Sequence, residues 1–317
     1  MGRYVGTKIV HLAVVLLIVS LLTYALLDLM PGGIEYSLFG PDATPQQIAL
    51  ARTQLHLDDP FIVRYGRWLG DAVRGDLGRS FRDNRPVTED IKPRLPVTFE
   101  LAALAMAIAL ILAIPIGTFQ AYRERRRPDR ILGVATITLI SIPQFLSAVI
   151  LITIFAIKLE WLPISGFSRI TSDGLGANLK SLALPAFSLA LAEMAVLSQV
   201  LRADMITTLK EDFILSARAK GMSTSNVLFR QALRPSSISL LTLAALNAGR
   251  LLGGAVIVEV LFGLPGLGKM IVDAIAANEV IKVQAGVLVI AAIYVTLNAA
   301  TDILYGFLDP RVRHGSK

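Results

Sequence analysis

No cysteine occurs in the 317 residues, which excludes disulfides and thiolate metal sites. Histidine is almost as scarce: His11, His56 and His314 lie far apart, and none has a neighbour at metal-ligand spacing. Charge is thin, at 17% of residues against 54% apolar, and mean hydropathy is +0.62. A soluble domain of this size does not carry that balance. No Ser/His/Asp set suggests nucleophilic catalysis. Residues 263–269 (Gly-Leu-Pro-Gly-Leu-Gly-Lys) nearly match a phosphate-binding loop, but Met270 stands where Ser or Thr would hold magnesium, and no strand precedes them.

What the chain does have is long apolar runs. Crossing a hydrocarbon core takes about 20 apolar residues. Six candidate spans meet that length, at 9–29, 97–121, 131–157, 181–201, 238–262 and 283–308. The expected fold class is therefore all-α, a polytopic helical membrane protein. The first run has a basic start (Arg3, Lys8) but no small-x-small cleavage site, so it reads as an uncleaved span. The chain divides into 1–30 (N-terminus and first span), an extramembrane region 31–96, and a five-helix core 97–317 that includes a polar loop at 201–237. Pro115, Pro143 and Pro185 fall inside spans and are expected to kink them.

Orientation follows from Lys and Arg in the connections. Sixteen fall in the N-terminus, 122–130, 201–237 and the C-terminal tail, against five in 158–180 and 263–282. Both termini and the 201–237 loop are thus expected to be cytoplasmic and 31–96 extracytoplasmic. The net charge of +7 reflects this asymmetry rather than nucleic-acid binding. The run Arg123–Arg130 reads first as a topology anchor and second as an anionic-lipid or partner contact. In 31–96, Thr44-Pro45 opens a short helix. Phe61, Tyr65, Trp68 and Leu69 recur at helical spacing, which suggests a second helix near the interface. This region is either a cap on the spans or a contact for a substrate-delivery protein.

The 201–237 loop is the most informative segment. It carries six basic residues (Arg202, Lys210, Arg218, Lys220, Arg230, Arg234) and reads as helix, glycine stop, second helix. The first helix is expected over about 210–220. Gly221 suits the left-handed residue that ends it, and Ser223 can cap the next. Small residues at Ser216, Ala217, Ala219 and Gly221 would let a partner approach the backbone closely.

These segments, taken in order, resemble the membrane-spanning permease subunits of bacterial ABC importers of the dipeptide/oligopeptide/nickel group. The resemblance runs nearly end to end. It rests on Gly40–Pro45, Tyr65–Gly70, Arg74–Gly78, Ala217–Gly221, Ala232–Arg234, Val258–Gly268 and Leu308–Arg311, whose order and spacing are specific together although no single motif is. It implies the type I importer permease fold, and a chain in the bacterial cytoplasmic membrane that is not itself an enzyme. It implies as partners a second homologous permease, one or two cytoplasmic ATPase subunits and an extracytoplasmic solute-binding protein. No cofactor is expected in this chain; ATP and magnesium would sit on the ATPases. The loop would be the coupling helix that fits a groove on an ATPase, carried by Ser216, Ala217, Arg218, Ala219, Lys220, Gly221 and Met222. The family pattern wants Glu-Ala-Ala, three residues, then Gly; here Leu215, Ser216, Ala217 and Gly221 occupy those places, so the glutamate is missing. Cargo would be short peptides, with nickel chelates or glutathione as alternatives.

Charges within spans are expensive and face the interior or water. Span five carries Asn247, Arg250 and Glu259, assigned here to the translocation path. Arg250 and Glu259 are nine residues apart, on opposite helix faces, so each needs a partner elsewhere; Glu193 and Asp302 are candidates. The rival reading is an ion-coupled secondary transporter using Glu193, Glu259 and Asp302. It would not need a structured basic loop.

Overall fold

The computed structural model describes residues 2–28, 44–54, 57–80 and 82–308. Residues 40–43 of the first motif, His56, and the tail from Asp309 lie outside the described residues, as does the side chain of Asp302. Among the described residues every regular element is helical, apart from one antiparallel bridge between Arg79 and Pro86. The α-helices are α1 (Gly2–Asp28), α2 (Pro45–Gln54), α3 (Phe61–Val73), α4 (Val87–Ile91), α5 (Leu95–Tyr122), α6 (Arg127–Ser141), α7 (Gln144–Leu151), α8 (Ile170–Thr208), α9 (Asp212–Ala219), α10 (Thr224–Asn226), α11 (Leu233–Phe262), α12 (Leu267–Ala276) and α13 (Val280–Leu308). Stretches of π-helix follow α7 (Ile152–Lys158) and α10 (Val227–Ala232). Five helical stretches are long and apolar enough to span a membrane, and the pair α6/α7 makes a sixth if counted as one broken span.

That pair corrects the expected continuous span 131–157. It breaks at Ile142–Pro143, where the two halves meet at 106°. The ring of Pro143 disfavours the helical region for its predecessor, and Ile142 is extended at φ −79°, ψ 124°. Pro115 and Pro185 instead remain inside α5 and α8. The interruption in α8 falls at Gly174 (φ 83°, ψ 163°), a conformation open to glycine but not to side-chain-bearing residues.

Two compact units divide the chain. One comprises the residues up to Thr98 with Pro265–Ala300. Within it α3 lays its aromatic face on α1: Tyr24 meets Phe61, Tyr65 and Trp68 at ring-centroid distances of 5.5–5.7 Å, and Tyr65 OH lies 2.8 Å from Ser20 Oγ. The aromatic stripe therefore finds its partner on the first span. A second core joins Val87 and Ile91 to Leu267, Met270, Ile271 and Ala285. A polar cluster flanks it, with buried Ser80 Oγ donating to buried Glu279 Oε1 at 2.9 Å and half-buried Lys282 Nζ paired with Asp90 at 3.0 Å.

The other unit comprises Phe99–Leu264 with the residues from Thr301 on. Its hub is α8, which packs against α6, α7 and α11. Of the apolar window in α8, 72% is buried, against 6% in α1, so α8 is a core helix within the chain and α1 a peripheral one. Close approach of α5 is set by Gly117, where a Cβ would lie 2.8 Å from the Ser198 carbonyl.

Candidate functional site: the 201–237 loop and a polar cluster in the spans

α8 ends at Thr208, and Glu211 in extended conformation restarts the chain as α9. Asp212 lies in the first turn of α9, where the helix dipole favours an acid. Ile214 and Ala217, three apart, point inward; Ile214 joins Leu201, Met205, Val227, Leu228 and Ala232 in the core of the unit. The helix is thus seated on its own chain by one face. Its other face presents Leu215, Ser216, Arg218, Ala219 and Lys220 to the outside.

The end of α9 is a Schellman motif. Gly221 sits at φ 76°, its N–H donates to the Arg218 carbonyl at 2.9 Å, and Met222 N–H donates to the Ala217 carbonyl at 3.2 Å. Ser223 Oγ then accepts from Asn226 N–H at 3.4 Å to start α10. The helix–stop–helix pattern is present, with α9 at Asp212–Ala219 rather than 210–220. One residue needs correcting: Ala217 is only 7% exposed, so it belongs to the seat of the helix and not to its outer surface. Ser216, Arg218, Ala219, Lys220 and Gly221 are exposed, and Met222 is half-buried.

Sequence reasoning missed what holds this loop. Asp129 accepts two hydrogen bonds from Arg202, Nε to Oδ1 and Nη2 to Oδ2, each 2.7 Å. Its Oδ2 also accepts from Arg125 N–H at 2.9 Å. Lys210 Nζ lies 3.4 Å from Glu124. The basic stretch 123–130 is therefore tied to the end of α8 just before α9. The signal was a pair of acids, Glu124 and Asp129, within an arginine run.

Within the spans, Asn247 Nδ2 donates to Glu193 Oε2 at 2.8 Å, and both residues are buried. Arg250 Nη1 reaches Asn247 Oδ1 at 3.5 Å while the residue stays exposed on α11. Asn247 thus links the carboxylate of Glu193 on α8, one of the two expected partners, to the cation of Arg250 on α11. Among the described residues no direct ion pair joins Arg250 to a carboxylate. Glu259 is fully enclosed, with an exposure of 0%, on the opposite side of the helix. The structure does not bring it to the other two.

Two family models match this architecture. "Binding-protein-dependent transport system inner membrane component" covers residues 113–314, and the N-terminal model of the same transport-system membrane components covers 1–102. The chain belongs to this family of importer permeases. It is 38% identical, over 95% of both chains, to a Brucella abortus protein provisionally named a peptide transport system permease protein. It is 33% identical to the dipeptide transport system permease protein of Alkalihalophilus pseudofirmus, over 99% of this chain and all of that one. The same identity and coverage relate it to the glutathione transport system permease protein of Escherichia coli O6:H1. The chain is thus a multi-pass membrane subunit that works with ATPase and solute-binding partners.

Proposed function

We propose that the chain is one of two homologous permease subunits that together form a pore for di- or oligopeptides across the bacterial inner membrane. An extracytoplasmic binding protein delivers cargo, and ATP with magnesium is bound and hydrolysed on cytoplasmic ATPase subunits. Their closure moves α9, and through α9 the helices of the pore. The observation that carries this reading is the build of α9. An exposed face of small and basic side chains backs onto a face seated by Ile214 and Ala217, and a left-handed glycine ends the helix. Such an element transmits a push rather than bending away from it. The excess of basic residues around both termini and this loop supports their cytoplasmic placement. The peptide assignment rests on the names of the relatives; the glutathione relative keeps that tripeptide as a second cargo.

The test is uptake of labelled dipeptide, glutathione and chelated nickel in a strain stripped of its own peptide importers and supplied with this chain and its genomic neighbours. ATP-dependent peptide uptake that is lost on omitting the ATPase subunits is expected. Uptake that survives their omission and follows an ion gradient overturns the reading in favour of a secondary transporter.

A further inference from the structure

Two concavities in the 99–264 unit meet at Leu162. One is an apolar cleft of about 390 Å³ between α5 and α8, walled by Ile108, Ile111, Phe155, Leu184 and Phe187. The other, of about 580 Å³, lies on the 160–168 connection and the beginning of α8, with Glu160, Trp161, Lys180 and Ser181 among its walls. Leu162 lines both. Positions 180 and 181 of α8 are polar, and 183, 184 and 187 lie up to two turns further into the span. The paired hollow therefore runs from polar to apolar along one helix.

The polar end is built rather than loose. Trp161 N–H donates to the Phe155 carbonyl at 2.9 Å, and Gly166 N–H to the Phe262 carbonyl at 3.3 Å. Ser168 N–H donates to Ser181 Oγ at 3.3 Å, and Asn178 Nδ2 to the Ser168 carbonyl at 2.9 Å. The connection is thereby pinned to the π-helical stretch, to α11 and to α8. The Trp161 ring packs on Phe155, with centroids 5.9 Å apart, yet the residue is 63% exposed. The connection joins a broken span ending at Lys158 to one beginning at Ile170, so it lies at the membrane–water boundary, where an exposed tryptophan ring is favoured. Lys180 and Glu160 line the same hollow, and among the described residues neither has an ion-pair partner.

We propose that this hollow is a binding site for a zwitterionic phospholipid. An acyl chain fills the apolar cleft. The phosphate meets Lys180 Nζ, and the ammonium of an ethanolamine headgroup meets the Glu160 carboxylate. A phosphoglycerol headgroup offers the second group no cation, so it leaves Glu160 beside an anion without compensation. The charge pattern thus selects the headgroup while the cleft supplies affinity. This inference does not depend on which cargo the pore carries.

The complex, assembled from this chain and its partner subunits, is placed in nanodiscs of phosphatidylethanolamine and phosphatidylglycerol in equal parts. It is then returned to mild detergent, and retained lipid is read by native mass spectrometry. Retention of a single phosphatidylethanolamine per chain is expected, with a preference over phosphatidylglycerol of roughly tenfold, as one charge-assisted contact supplies. Glu160→Gln should bring the preference close to parity, whereas Lys180→Ala should weaken retention of both lipids and leave the preference in place. Ala183→Phe should abolish retention by filling the cleft, as should Ile111→Trp, which narrows it from its exposed wall and decides the matter if Ala183→Phe fails to assemble. Equal retention in wild type and the cleft variants overturns the proposal, as does preferential retention of phosphatidylglycerol. So does efficient crosslinking of Ala183→Cys to another subunit, which would make the cleft a protein interface.

Discussion

At the scale of single residues, the cluster of Glu193, Asn247 and Arg250 shows how unequal neighbouring polar groups can be. Asn247 is buried, and its amide answers a carboxylate that is itself buried. Removing that donor strands the carboxylate, at about 1–3 kcal/mol. Arg250 is exposed on its own chain and reaches Asn247 only at 3.5 Å, so its removal strands little. Asn247→Ala should therefore lower the unfolding temperature of the detergent-solubilised complex, while Arg250→Ala leaves it close to wild type and slows uptake. Arg250→Lys should recover part of the rate, because a cation able to hold a peptide carboxylate is retained. An unfolding temperature that drops for Arg250→Ala and not for Asn247→Ala would reverse these assignments. The sequence shows that Arg250 needs an acid and offers Glu193. It does not show Asn247 between them, because that juxtaposition comes from the packing of α11 on α8.

At the scale of elements, the proposed coupling rests on α9 and its stop. A Cβ at Gly221 would meet no atom within 4 Å, so a substitution there is resisted by the backbone alone. With φ at 76°, a bulky residue costs about 1–2 kcal/mol, whereas asparagine tolerates this conformation. Gly221→Leu should insert and assemble but uncouple ATP hydrolysis from uptake, and Gly221→Asn should remain close to wild type; equal behaviour of the two variants would remove the stop from the mechanism. The faces of α9 make a second comparison. Ala219→Glu adds charge to the exposed face and should uncouple without unfolding. Ala217→Glu forces a carboxylate into the seat beside Ile214 and should cost assembly itself. The glycine stop and the serine cap are legible in sequence because their causes are local. The inward turn of Ala217 is not, because five consecutive residues of small and basic type carry no periodic apolar signal to mark the buried side.

The latch between Asp129 and Arg202 belongs to the same scale. Asp129 is almost wholly enclosed, with an exposure of 4%, and Arg202 compensates it through Nε and Nη2 of its guanidinium. Breaking such a pair from one side costs about 3 kcal/mol when it is buried. Arg202→Ala should lower the unfolding temperature and weaken coupling together. The double change Arg202→Ala with Asp129→Asn should recover stability, since the stranded charge is gone. Failure of the second change to restore any stability, as read by thermal unfolding, would deny the pair its structural role.

At the scale of the whole molecule, the spans are legible because each is a long apolar run, and the broken third one is not. A proline inside such a run predicts a disturbance but not its size. Here Gln144, just after Pro143, seats its amide where α11 has Gly254; a Cβ at that glycine would lie 2.6 Å from Gln144 Oε1. That close approach, between residues more than a hundred apart, falls one residue past Pro143 at the 106° break. Orientation relative to the membrane depends instead on charge statistics alone, so it calls for a direct measurement. The chain has no cysteine, so single introduced cysteines read out against a silent background. Ser80 is unsuitable as a probe site, being buried and bonded to Glu279. Val73, at 82% exposure on α3, and the exposed Ser225 at the start of α10 are accessible to reagent. In intact cells Val73→Cys should react with an impermeant maleimide and Ser225→Cys should not, and both should react once the membrane is permeabilised. The opposite pattern in intact cells would place α9 away from the ATP-rich side, where no ATPase could reach it, and would end the coupling argument together with the topology.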